Sequence, residues 1–269
     1  LFADWLRAEH GIRDARRVER QHVEAYGEHL HDLVEAEQMA IAYAQNRLST
    51  VNRVMELLRG DRKLRVSPAA SVGRRCQVRK ERPEADQDRV QTAVERLRRA
   101  GHARAACLVL LCREFGMRLR EAALADLDRL VDEAEKTGSA RILEGTKGGR
   151  RSDDRVIEVG ERQWHALRTA LQHRPTGSRN LLRSAETWRA FLRYIATARA
   201  MLLGCGIVSF RELRAAFAVE LYERLAGQPA PFEGPPHDSE ADYRARCEVA
   251  RQLGHGRSEV ASAYIGGRR

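Results

Sequence analysis

Five short islands of this 269-residue chain hold side chains with which a protein can do chemistry. FGMRLREAALADLDRL carries Arg118 and Glu121, GTKGG carries Lys147, and FRELRAAFAVELYERL carries Arg211 and Arg214. LGHGRSEVASAYIGG holds the last two islands, His255 and, nine residues on, Tyr264. Guanidinium groups stabilise oxyanions, an amine or imidazole moves protons, and a deprotonated phenol is a nucleophile. Each island also has an ordinary reading. Residues three apart share a helix face, so Arg118 with Glu121 fits a surface ion pair and Arg211 with Arg214 a solvated face. A solvated lysine at a strand end and a packed histidine or tyrosine are commonplace. The arginine pair gains meaning only where another basic group converges on the same point.

Spacing limits how the last two residues can meet. Nine residues of one straight helix turn through roughly 900°, which puts His255 and Tyr264 on opposite faces. They share a site only if the chain turns between them. Gly254 and Gly256 offer a place to turn, with Tyr264 on a separate short helix.

The elements that must position these residues are mostly helical. From Phe2 to Leu64 apolar residues recur at helical spacing (Phe2, Trp5, Leu6; Val18, Val23, Leu30, Leu33; Ile41, Leu48, Val51, Val54, Met55, Leu58), which predicts a small bundle over residues 1–64. RVSPAASVGRRCQVRKERPEAD, residues 65–86, has two prolines and clustered basic residues and reads as a basic interdomain linker. A second domain is expected over 87–269. It opens with helices in QDRVQTAVERLRRAG and ARAACLVLLCREFG, the latter closed by Gly116 as a C-cap. Strand-like runs Arg141–Thr146 and Arg155–Val159 flank KGGRRSDD and suit a hairpin. Helices are expected from Glu161 to Leu225 except at the GCG around Cys205, and QPAPFEGPPHDSEAD, with four of the seven prolines, is a loop. The fold class is mainly α with a small β-hairpin.

Composition narrows the partner. Lysine and arginine number 48 against 38 aspartate and glutamate, a net charge of +10, which favours a polyanion. Cys76, Cys107, Cys112, Cys205 and Cys247 are scattered and form no CxxC pair, so neither a zinc site nor a disulfide framework is suggested and a reducing cytoplasm fits. No apolar run reaches the roughly 18 residues of a membrane span, and the opening LFADWLRAEHG reads as an amphipathic helix rather than a signal peptide. The chain opens without methionine, as a fragment would.

In this order and at these gaps, the islands resemble the boxes of the tyrosine recombinase, or phage integrase, superfamily. GMRLRE resembles its first arginine box, TKGGR its lysine hairpin, and RELRAAFA its second box, usually His-x-Leu-Arg-His-x-Phe-Ala. LGH followed after nine residues by Tyr-Ile-Gly resembles the third box and nucleophile. The resemblance spans about residues 87–266, with the N-terminal bundle similar to the family's SAM-like core-binding domain. It implies a C-shaped clamp on double-stranded DNA, a homotetramer on that DNA, accessory DNA-bending proteins, a cytoplasmic, nucleoid-associated location and no cofactor. It assigns Arg118 and Arg214 as the arginine pair, Lys147 as the lysine, His255 as the third-box histidine and Tyr264 as the nucleophile, with Glu121 orienting the first box. Three departures stand out: Arg211 replaces the usual second-box histidine or lysine, Ala261 replaces a frequent threonine, and five residues follow Tyr264.

The implied reaction suits these residue types. Attack on a phosphodiester builds charge on non-bridging oxygens, which paired guanidinium donors match without a metal. Lys147 would protonate the leaving 5′-oxygen, and His255 would bind the phosphate or assist proton transfer. Arg211 can donate to phosphate but cannot act as a base. Because a phosphotyrosine link conserves the bond energy, rejoining needs no ATP, in keeping with a sequence free of GxxxxGK[ST]. Two alternatives use the same residues: relaxation of supercoils in the manner of a type IB topoisomerase, and a non-catalytic DNA-binding accessory protein derived from a recombinase.

Overall fold

The computed structural model describes residues 1–146 and 155–267. Its chain divides into two compact units, Leu1–Gln77 and Val78–Arg269. No helix among the described residues is long and apolar enough to cross a membrane.

In the first unit, helices α1 (Phe2–His10), α2 (Arg20–Glu35), α3 (Ile41–Arg59) and α4 (Pro68–Val72) bury Leu6, Val23, Tyr26, Leu30, Leu48, Val51, Met55 and Val72. Gly27 lets α2 approach α4, since a Cβ there would lie 3.0 Å from Ser71 Cβ. Buried Asn52 fastens the following segment by donating to Val66 O at 2.7 Å and accepting from Val66 N at 3.0 Å. Val54 and Leu58, counted in the apolar spacing of the bundle, are instead 47% and 62% exposed. The helical period of α3 continues past what the unit's other helices cover.

The second unit runs α5 (Gln87–Arg99), α6 (Ala103–Glu114), α7 (Leu119–Leu124), α8 (Leu127–Thr137), β1 (Ser139–Arg141), β2 (Val156–Glu158), α9 (Glu161–Gln172), α10 (Trp188–Leu203), α11 (Phe210–Ala226), α12 (Ser239–Gln252), a 3-10 turn (Ser258–Ala261) and α13 (Ser262–Ile265). Among the described residues the architecture is mainly α with one small antiparallel sheet, as the sequence predicts. Helices α6 and α11 are buried on nearly every side and pack on each other, so they form the centre on which α5, α9, α12 and α13 are laid.

Three local expectations shift. Strand β1 covers 139–141 rather than 141–146, pairing Ser139 with Glu158 and Arg141 with Val156. After Ile142 the chain bends away at Gly145, whose φ of 68° brings it so close to α7 that a Cβ would stand 2.5 Å from Arg120 O. Helix also gives way over residues 173–187, where Leu181 is buried, its N–H donates to Ala123 O, and Asn180 Oδ1 accepts from Leu182 N at 2.9 Å. Thr187 then caps α10 through Ala190 N. Residues 65–86 are shared between the units: Val66 and Val72 lie in the first core, whereas Arg79 reaches Glu212, and Arg82 reaches Glu223 and Glu233, in the second.

Candidate active site

The site is built where the ends of α6, α12 and α13 meet α11. Helix α6 stops at Phe115, and Gly116 takes φ 58° with Phe217 and Leu253 packed where a side chain would stand. That turn delivers Arg118 as N-cap of α7, not as a residue on its face. Glu121, three residues on, reaches back to accept from Arg118 N at 2.7 Å and from Arg118 Nη1 at 2.5 Å. The surface ion pair is therefore excluded, since Glu121 is 0% exposed.

Three guanidiniums surround that carboxylate. Arg118 pairs with it as above, Arg155 Nη1 lies 2.9 Å from Oε1, and Arg214 Nη1 lies 3.7 Å from Oε2. Burial alone would raise the carboxyl's pKa, but Arg155 first, then Arg214 and Arg118, hold it down to about 2. Among the described residues, one carboxylate stands against three cations in this cluster, an excess of positive charge suited to an anionic ligand.

Arg214 lies on α11, 2% exposed, and spends its donors on fixed acceptors. Nη2 donates to Leu253 O at 2.5 Å, Nη1 donates to Gly116 O, and Nε donates to Tyr264 Oη at 3.3 Å. Burial lowers its pKa to about 10, which leaves it charged at neutral pH. Because a guanidinium has only donors, the 3.4 Å contact of Arg214 Nη2 with His255 Nε2 makes that nitrogen an acceptor. Burial, then the charges of Arg214, Arg118 and Arg155, push His255 down to about 4, so the ring is neutral. Tyr264 Oη stands 3.4 Å from the same Nε2 and can donate its proton there.

The turn that spacing demands between His255 and Tyr264 is present. Helix α12 closes with Gly254 at φ 65°, where Gly254 N donates to Arg251 O at 2.9 Å and His255 N to Ala250 O at 2.8 Å. A 3-10 turn then brings round α13 with Tyr264, 8% exposed. This short helix is tied from outside: Arg79 N donates to Ser262 O at 2.9 Å, Arg246 Nη1 donates to Ser262 Oγ at 3.2 Å and Gly266 O at 3.0 Å, and Phe232 N donates to Ile265 O at 3.3 Å. Arg246 is itself held by Asp242, which also accepts from Tyr222 Oη at 2.8 Å.

A cleft of about 390 Å³ opens on this cluster, lined by Arg118, Leu119, Arg199, Ser209, Phe210, Arg211, Arg214 and Tyr264. Of the residues singled out from sequence, Arg118, Arg214, His255 and Tyr264 converge, and exposed Arg211 lines the same cleft. Lys147 lies outside the described residues. Arg155 and Arg199 escaped the sequence reading. Arg155 opens an alternating strand run, where an arginine reads as solvent-facing, and Arg199 lies on a helix whose three arginines look like an ordinary polar face. Among the described residues no group of three His, Cys, Asp or Glu side chains could hold a metal ion.

The family model described as Integrase matches residues 73–220, just over half of the chain. The match takes in the positions of Arg118, Lys147, Arg211 and Arg214 and stops before His255 and Tyr264. No curated protein and no solved structure gives a match. On the extent of that match, the chain belongs to the integrase family, that of the phage integrases and tyrosine recombinases.

Proposed function

We propose that this protein is a site-specific DNA recombinase that cuts a strand through Tyr264 and holds it as a 3′-phosphotyrosyl ester. Family membership supports the coarser statement, a recombinase or integrase acting on DNA. One observation carries the finer one: Tyr264 Oη lies 3.3 Å from Arg214 Nε and 3.4 Å from a neutral, accepting His255 Nε2, at the wall of an arginine-lined cleft. A phenol so placed can lose its proton to the imidazole while its oxygen faces a cation.

As Tyr264 Oη bonds to phosphorus, its proton passes to His255 Nε2 and the bond to the 5′-oxygen breaks. The family resemblance gives Lys147 the task of protonating that leaving oxygen. Arg118 and Arg214 meet the charge that grows on the non-bridging oxygens, and Arg211 adds a donor but no base. Rejoining runs the same steps backwards with a 5′-hydroxyl from another strand, so the ester's energy is kept. Assembly as a tetramer on double-stranded DNA, with accessory bending proteins, completes the reading. The other tyrosines are poorer candidates; Tyr222 has its pKa driven up by burial and by Asp242.

The test is a nicked suicide substrate carrying a cognate site, whose short 5′ fragment diffuses away after cleavage. The intact chain should become joined to DNA through the 3′-phosphate without ATP, and Tyr264→Phe should form no adduct while binding DNA as before. An adduct that persists in Tyr264→Phe refutes the nucleophile. Products that never join two different duplexes would favour relaxation over recombination.

A further inference from the structure

Arg155 is the largest fully buried side chain among the described residues, 1% exposed, and the reaction above gives it no task. Its fork serves three separate stretches of chain. Nη1 lies 2.9 Å from Glu121 Oε1, while Nη2 donates to Glu121 Oε2 at 3.0 Å and to Gly116 O at 3.4 Å. Nε donates to Gln252 O at 2.8 Å, at the end of α12. Gly254 is pressed against it, since a Cβ there would lie 3.1 Å from Arg155 Cδ.

Stability alone does not call for such a group. A buried ion pair commonly stabilises no more than a well-packed apolar side chain of similar size, because both ions lose their water. What arginine adds is direction: five donors in a rigid plane fix the relative position of every acceptor they meet. Here the acceptors are the turn before Arg118, the carboxylate shared by Arg118 and Arg214, and the carbonyl end of α12, three residues before His255. The last is also favourable in sign, as a cation at a helix C-terminus faces its unsatisfied carbonyls.

We infer that Arg155 is a positioning residue of the active site, which locks the Glu121 and arginine cluster in register with the end of α12 that presents His255. Its effect on rate rests on the phosphotyrosine reading; its effect on His255 does not. The groups facing His255 are Arg214, Arg118, Arg155, Glu121 and Tyr264, so removing one cation leaves a measurable trace on the imidazole.

The experiment uses the full chain with Arg155→Met and Arg155→Lys. It measures thermal unfolding, adduct formation in a single turnover at saturating DNA, and the His255 titration by NMR. Arg155→Met should cleave on the order of 10²-fold more slowly, the cost of misplacing a catalytic group by about 1 Å, with DNA affinity little changed. Its His255 midpoint should rise above the parent's value near 4. Arg155→Lys keeps the charge but not the fork, so it should leave that midpoint in place and still slow cleavage. A folded Arg155→Met that cleaves at the parent rate, or whose His255 midpoint is unmoved, overturns the inference. If Arg155→Met does not fold, Arg155→Lys decides alone, and the parent rate in it overturns the role of the fork. If the intact chain forms no adduct on cognate DNA, the phosphotyrosine reading fails; the His255 ring resonances in Arg155→Lys, where the charge is kept, then decide, displacement from the parent positions supporting the inference and unchanged positions overturning it.

Discussion

Replacing Glu121 by glutamine changes almost no volume and removes the one carboxylate that, among the described residues, pairs with all three guanidiniums. Glutamine can still accept from Arg118 N, so the cap of α7 survives and the loss is one of charge. Two routes give its size. Holding the carboxyl at about 2 rather than the ordinary 4.5 corresponds to about 3 kcal/mol. Breaking a buried pair from one side costs about 3–5 kcal/mol, because the remaining cations stay buried without their partner. For a unit the size of Val78–Arg269 each kcal/mol is worth about 2–4 °C, so melting should fall by about 6–20 °C. The pH dependence has a defined sign. Folding depresses the carboxyl's pKa, so its stabilisation is complete above 4.5 and is lost as pH falls from there through about 2. Denaturant unfolding of parent and Glu121→Gln at pH 7, and down a series from 4.5 to 3, should show a gap that narrows only in the acid series. A gap below about 1 kcal/mol at pH 7, or one that stays constant between pH 4.5 and 3, would refute the reasoning.

Arg214→Ala should abolish the covalent adduct, since that side chain touches Tyr264, His255, Gly116 and Leu253 together, whereas exposed Arg211→His should leave most of it; equal damage in the suicide-substrate assay would show that Arg211 matters as much. Gly116→Ala places a Cβ 2.4 Å from Phe217 Cδ1 at a φ of 58°, so it should destabilise by about 2–4 kcal/mol, overpacking and left-handed strain together. Chemical denaturation reads this directly, and a neutral substitution would mean that the turn before Arg118 yields easily.

The helical framework was legible because amphipathic spacing, glycine stops and capping residues agree along most of the chain. What failed were places where tertiary contacts outweigh local pattern. The segment 173–187 falls within the stretch Glu161 to Leu225 expected to be helical, yet it contains Pro175 and Gly177, and Leu181 is buried in an irregular path. The strand before KGGRRSDD was read too late in sequence, because the bend at Gly145 answers to the approach of Arg120 O rather than to anything in its own neighbours. At the site, Arg118, Arg214, His255 and Tyr264 stood out by wording and order, and the need for a turn after His255 followed from helix geometry. Arg155 did not stand out, since alternation cannot tell a strand's buried arginine from a solvated one.

The ties on α13 carry a consequence for the order of folding. Four residues make that helix, too few to persist alone, and the groups that hold it come from far back along the chain, Arg79 roughly 180 positions earlier. Arg246, Phe232 and Arg214 add three more late, non-local closures. The contacts of Tyr264 with Arg214 and His255 therefore depend on segments drawn from across the second unit. Assembly of this site is thus a reporter of the completed second unit.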